Sequence, residues 1–285
     1  MRLDRLATLY LMHPLQKRYP QRRLQIPILM YHSISDEPEG GLHPYYRTAT
    51  RPERFAEHLR ALHVGGYQSL SLEEASRRLQ DPALSLQRSV VITFDDGYMD
   101  FMDHAFPHLM QFGFTATVFL PTAYIGDATR NFKGKQCLTW GQVQELHRSG
   151  ICFGSHTVTH PRLDTLSGQE LEFEIAGSKS AIEDKLGCAI NCFAYPYAFP
   201  EPKTAFKHQL RDLLWNTGYR YGVCTNIGTE DGQVDRLFMR RLPINSCDDP
   251  ELFAAKLDGA YDWLGVPQDL TKRVKGWLSP AAGTR

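Results

Sequence analysis

The sequence predicts an α/β fold: a single barrel-like domain of about seven to eight mostly parallel strands. Three observations predict it. After residue 25, apolar strand-like runs alternate with helix-like stretches in one continuous pattern. Chemically active polar residues cluster just past the ends of those runs, where barrel folds gather their chemistry. No linker, internal repeat or low-complexity tract divides the 285 residues, a length sufficient for one large domain.

The strand candidates are residues 26–31, 67–70, 90–94, 115–120, 151–154, 189–194, 221–225 and 239–244. Helix starts are marked between them. Thr50, Ser71, Thr139 and Ser167 each precede Glu or Gln by three residues, the pattern of a capping box. Gly65, Gly113, Gly150, Gly187 and Gly218 follow periodic stretches, where a left-handed C-cap is expected. Asp249-Pro250 opens a last strong helix over 250–264. The organisation is therefore an N-terminal segment (1–24), a barrel domain (25–265) and a C-terminal tail (266–285). The loops at 33–50 and 122–137 are long for connectors and are candidate walls of a substrate groove.

Composition narrows the function. With 42% hydrophobic residues and 32 basic against 32 acidic side chains, the chain is an ordinary globular protein. The balance gives no electrostatic case for nucleic acid. No apolar run reaches the ~18 residues of a membrane span, and no secretory signal is evident, so the cytoplasm is the expected location. The six cysteines include no CxxC pair; Cys188 and Cys192 are the closest two. Residues 1–23 interleave Leu3, Leu6, Leu11 and Leu15 with Arg2, Arg5, Lys17, Arg18, Arg22 and Arg23. Such a basic amphipathic segment can lie on an anionic membrane surface, or pack on the domain as an ordinary helix.

The most informative stretch is Thr93-Phe94-Asp95-Asp96-Gly97, at the exit of the 90–94 run. Adjacent carboxylates raise each other's cost of ionisation, so such a pair calls for a nearby cation or a working base. Side chains alternate along a strand, but Gly97 permits a sharp turn that brings both acids to one cavity. A second strand end carries Gly154-Ser155-His156-Thr157-Val158-Thr159-His160. Two histidines four apart, on a helical turn or tight loop, can present two nitrogens to one cation. One Asp and two His leave coordination positions open, the pattern of a catalytic metal site, and the other Asp is free for proton transfer. A metal there would lower the pKa of a bound water and polarise a carbonyl, which is metal-assisted hydrolysis. His104 and His108 share the spacing, but Pro107 lies between them, and they read as helix-face residues.

Thr93–Gly97 and His156–His160 resemble the first two motifs of the polysaccharide deacetylases (carbohydrate esterase family 4, NodB-like). Phe193-Ala194-Tyr195-Pro196-Tyr197 resembles the third, and the likeness runs over about residues 25–245. The resemblance implies a distorted (β/α) barrel that removes acetyl groups from sugars with a divalent metal. Zinc is the expected ion, with nickel, cobalt or iron as alternatives. It implies Asp95 as catalytic base, Asp96, His156 and His160 as metal ligands, and the backbone N–H of Tyr197 as an oxyanion donor, worth ~3 kcal/mol.

Two departures follow. The third motif usually carries an arginine that orients the base, and here Ala194 stands at that position; Arg240 or Arg241 is a candidate substitute. A C-terminal histidine usually supplies the acid, yet the last histidine here is His208. Tyr31-His32, after the first strand, resembles instead the rearranged branch of poly-N-acetylglucosamine deacetylases, making His32 the candidate acid. Tyr195, Trp140 and Arg241 are candidate substrate contacts. Without an evident export signal, the expected substrate is an N-acetylated glycan or a lipid- or nucleotide-linked precursor. The alternatives are hydrolysis of a cyclic imide or formamide, an iron(II) site of the facial-triad type, and a degenerate glycan-binding member. The iron(II) reading lacks its HxD spacing and all-β fold.

Overall fold

The computed structural model describes residues 2–19, 24–39, 42–81, 88–198 and 203–278, excepting the side chains of Tyr45 and 272–278. Eight parallel strands carry the architecture: β1 (Ile28–Tyr31), β2 (Gln68–Ser69), β3 (Ser89–Phe94), β4 (Thr117–Leu120), β5 (Cys152–Ser155), β6 (Cys192–Ala194), β7 (Tyr221–Ile227) and β8 (Met239–Pro243). Each falls on a stretch whose apolar run predicts it. Neighbours follow the order β1-β8-β7-β6-β5-β4-β3. Pairing of β1 with β3, Ile28 opposite Val91 through Tyr31 opposite Phe94, closes these seven strands into a barrel. β2 pairs only with the start of β3 and stands outside the ring. The distorted barrel is thus a seven-stranded one with surrounding helices.

Closure buries both faces of the strands, and β3 is buried along its whole length. Alternation then sorts the side chains. Leu29, Tyr31, Val90, Ile92 and Phe94 join the large cluster between barrel and helices. Ile28, Val91, Phe119, Cys192, Ala194, Val223 and Met239 form a second, smaller cluster, which fills the barrel interior. Counting in twos from these inner residues reaches His32 from Ile28, Asp95 from Val91 and Arg241 from Met239. Three of the singled-out side chains therefore share the inward parity at the C-terminal rim.

Helix punctuation follows the sequence in part. Thr139 and Ser167 form reciprocal capping boxes with Gln142 and Glu170, and Ser71 accepts from the Glu74 N–H. Thr50 caps nothing: it lies in a two-residue strand paired with Ser33–Ile34, and Arg51 is the N-cap of the helix Pro52–Val64. Gly65 is right-handed and Gly66 takes the left-handed turn instead. The last strong helix is shorter than expected. Capped by Asp249, it spans Pro250–Leu257 and stops before Gly259 (φ 80°); a helix Gly265–Leu278 follows. Among the described residues no helix is long and apolar enough to cross a membrane. All six cysteines are free.

Candidate active site

Asp95 continues β3 and is buried with its neighbour Asp96. The turn between them is sharper than Gly97 alone would make it. Asp96 is itself left-handed at φ 70°, and Gly97 follows at φ 60°. Asp is among the few non-glycine residues that tolerate this region, so the pair of left-handed residues turns Asp96 back toward the cavity. At φ 60°, and with a Cβ that would lie 2.8 Å from Leu120 Cδ2, the position favours glycine.

Asp95 is gripped by Arg241. The guanidinium donates from Nη1 to Oδ1 and from Nη2 to Oδ2, both at 2.7 Å, with the arginine fully buried. Further bonds to the Cys224 carbonyl and the Thr93 hydroxyl hold the fork in place. Burial pushes the Asp95 carboxyl up, but Arg241 and the neighbouring histidines outweigh it, so the group is held below the usual carboxylate range. The cation missing at Ala194 therefore arrives from β8. Ala194 keeps a different task, its carbonyl accepting the His156 Nδ1–H at 2.8 Å. That bond sets the tautomer and leaves Nε2 lone-paired toward the cavity.

Asp96, His156 and His160 converge, with ligating atoms all within 4.8 Å of one another. Asp96 Oδ1 is 3.7 Å from His156 Nε2 and 3.3 Å from His160 Nε2. The HxxxH stretch is a tight loop, not a helical turn, with Thr157 at φ 69° and His160 at φ 60°. Glu174 clamps this loop by accepting from the N–H groups of Val158 and Thr159 and from the Thr159 hydroxyl. Its buried carboxylate thus offsets local strain of about 1–3 kcal/mol per left-handed residue. Burial lowers His156 to about 4, so it is neutral at physiological pH. Asp96 is depressed against its burial, chiefly by the adjacent His160 imidazole.

This trio fits a divalent cation. Asp96 Oδ1 and His160 Nδ1 are buried without a hydrogen-bond partner, an arrangement costly in a closed polar cluster. The other Asp96 oxygen is satisfied: Oδ2 accepts from Tyr98 O–H at 2.9 Å and from Lys133 Nζ at 3.3 Å. Oδ1 is thereby the oxygen left to ligate. The donor set, two imidazoles and one carboxylate, suits zinc and its neighbours.

The remaining candidates divide. His32 stands at the rim of the pair, its Nε2 3.9 Å from Asp95 Oδ2, and burial lowers its pKa against the pull of both carboxylates. Tyr197 packs edge-on over His160 with ring centroids 4.7 Å apart. Its backbone is left-handed (φ 58°), and its carbonyl is taken by the Thr225 hydroxyl, which sets the orientation of the loop. Three expected substrate contacts are buried and engaged within the protein. Tyr195 is buried, with its hydroxyl on the Leu237 carbonyl and its ring stacked on Phe238. Trp140 is a core residue at the start of its helix. Arg241 is consumed by Asp95.

Tyr98, Lys133 and Glu174 are the site residues that reading the sequence missed. Lys133 had a usable signal, the Lys133-Gly134 pair at the tip of the hairpin Asn131–Phe132/Lys135–Gln136, with φ 51° and 82°. Its ammonium also lies 4.6 Å from the centroid of the Phe132 ring. Tyr98 and Glu174 carry no local pattern.

A parallel barrel carries, at one rim, a buried Asp/His/His group that could hold a metal beside an arginine-clamped carboxylate. The family comparison agrees: residues 85–222 match the model described as polysaccharide deacetylase. The chain is 29% identical over 239 residues to YxkH of Bacillus subtilis (strain 168), a polysaccharide deacetylase by name alone; the match covers 84% of this chain and 78% of that one. It is 30% identical over 139 residues to the poly-beta-1,6-N-acetyl-D-glucosamine N-deacetylase of Escherichia coli (strain K12), over 45% of this chain but 20% of that enzyme. Among solved structures, the Streptococcus pyogenes deacetylase PplD in complex with acetate superposes with a TM-score of 0.70 at 27% identity, covering 82% of this chain and 99% of that one. Residues 85–222 thus carry a polysaccharide deacetylase domain, and the deacetylase relatives support a hydrolase.

Proposed function

We propose that the protein is a metal-dependent deacetylase of N-acetylated glycans or of their lipid- or nucleotide-linked precursors. One observation carries the reading. A single unsatisfied carboxylate oxygen, Asp96 Oδ1, faces two imidazole nitrogens beside a second carboxylate already neutralised by arginine.

Asp96, His156 and His160 hold the ion, which supplies an activated water and polarises the acetyl carbonyl when bound. Asp95 is the base. Its ionised, immobile carboxylate takes a proton from water without reorganising, because Arg241 fixes both oxygens. The Tyr197 N–H stabilises the oxyanion, oriented by its left-handed backbone. His32, on the other side of Asp95, protonates the leaving amine. As a neutral imidazole it first receives a proton, and Asp95 Oδ2 is the nearest donor once Asp95 has taken one. The two residues thus pass one proton from water to the amine.

The test is acetate release from N-acetylglucosamine oligomers by zinc-loaded protein, with metal content read in parallel by mass spectrometry. Asp95→Asn is expected to lower turnover by about 10²–10⁴-fold while retaining the metal. Turnover unchanged in Asp95→Asn sinks the assignment of the base. Bound metal without acetate release from any acetylated glycan moves the activity to another amide.

A further inference from the structure

The N-terminal helix is anchored largely through polar side chains. Leu3–Ala7, a π turn Thr8–Met12 and His13–Arg18 run without a break along the helix Pro250–Leu257. Polar side chains do the anchoring. Arg5 pairs with Asp249 at 2.6 Å and with Glu251 at 3.0 Å. Thr8 is fully buried and accepts from the Trp263 indole N–H, and His13 meets Asp258 at 3.0 Å.

Leu6, Leu9 and Met12 are half-buried, but five other apolar residues point outward. Leu3, Tyr10, Leu11, Leu15 and Tyr19 are 68, 73, 57, 45 and 69% exposed. A surface helix ordinarily turns this stripe to the core. Here the polar face makes the specific bonds, and the stripe has no cover among the described residues.

Charge says what covers it. The first 23 residues hold six of the chain's 32 basic side chains and one of its 32 acidic ones, in a protein whose net charge is zero. The single acid, Asp4, does not oppose this, since it is bound to Arg2 and accepts from Tyr261. Arg2 and Arg5 are spent on the barrel, but Lys17 and Arg18 are exposed beside Leu15 and Tyr19.

We propose that this outward stripe is a docking face for an anionic lipid surface. Leu11, Leu15 and the tyrosine rings enter the headgroup boundary, while Lys17 and Arg18 meet lipid phosphates. The inward polar bonds fix the barrel to the helix, so the catalytic domain is held at the membrane. A lipid-linked substrate would suit that placement.

The experiment is co-sedimentation of the full chain with vesicles of phosphatidylcholine carrying about a third phosphatidylglycerol, against phosphatidylcholine alone. The wild type is expected to pellet with the anionic vesicles and to be released by high salt. Leu11→Glu/Leu15→Glu should lower partitioning at least tenfold, and Lys17→Gln/Arg18→Gln by about fivefold per charge. Thermal melting reports on folding, and all four side chains are exposed enough for the variants to fold. Light scattering tests the rival occupant. A dimer that Leu11→Glu/Leu15→Glu converts to monomer, or wild-type protein that ignores anionic vesicles, overturns the proposal.

Discussion

Asp95 and Asp96 are adjacent in the chain and equally buried, yet the protein treats their charges in opposite ways. Asp95 is compensated from within, by a bidentate arginine that is itself fully buried. Asp96 is compensated on one oxygen only, by Tyr98 and Lys133, and its other oxygen is left facing two histidines. The closed half suits a group that must be ionised and held still before it takes a proton. The open half suits a group that must accept a ligand. The backbone shows the same division: Asp95 is not among the positive-φ residues, while Asp96, Thr157 and His160 all are. Strain is concentrated on the side where an external cation can offset it.

Asp96→Asn attacks the open half and has the largest expected effect. It should abolish stoichiometric metal binding, read by mass spectrometry, and with it acetate release, while the Asp95–Arg241 pair keeps the fold. Metal retained at about one ion per chain would show that the two histidines suffice.

Arg241→Met attacks the closed half. Breaking a buried pair by removing one partner costs about 3–5 kcal/mol, because the other charge is stranded. Denaturant unfolding should show that loss while the metal content stays unchanged. Adding Ala194→Arg tests whether the position usual in this family can take over. Recovery of part of the stability would mean that the cation, not its strand of origin, is what Asp95 requires.

Acid separates the halves by the pH at which each fails. In metal-stripped protein His156 is neutral down to about 4, whereas an unfolded histidine titrates near 6.5. The unfolded state therefore binds more protons in that window, and stability falls as pH drops from 6.5 to 4, by about 3 kcal/mol for this histidine. Asp95 acts in the same sense but in a lower pH window. Its carboxyl is depressed on folding, so its contribution is present above the ordinary aspartate value of 3.8 and is lost only as pH falls below it. Melting temperatures that hold flat from 6.5 to 4 would contradict the buried neutral state of His156.

All eight strands were legible, because closing a barrel demands long apolar runs and those runs are local. Capping boxes at Thr139 and Ser167 were legible for the same reason. Thr50 misled because its pattern is satisfied by chance while its backbone is claimed by pairing with Ser33–Ile34. Tyr195 and Trp140 misled because an aromatic beside a motif looks the same in sequence whether it faces a groove or the core. Arg241 was legible as a candidate cation, but not as the residue that forks onto Asp95. That contact spans 146 positions and depends on β8 standing next to β1 in the ring.

The sequence by itself determined which side chains carry chemistry and at which strand ends they stand, since period-two burial and the Asp95-Asp96-Gly97 and His156–His160 patterns are local. Only the tertiary structure decided how the chemistry is divided. Barrel closure brings Arg241 and His32 to Asp95, left-handed turns swing Asp96 and His160 onto each other, and a hairpin delivers Lys133. Each is a contact between segments far apart in the chain, set by strand order and backbone handedness and not by local composition.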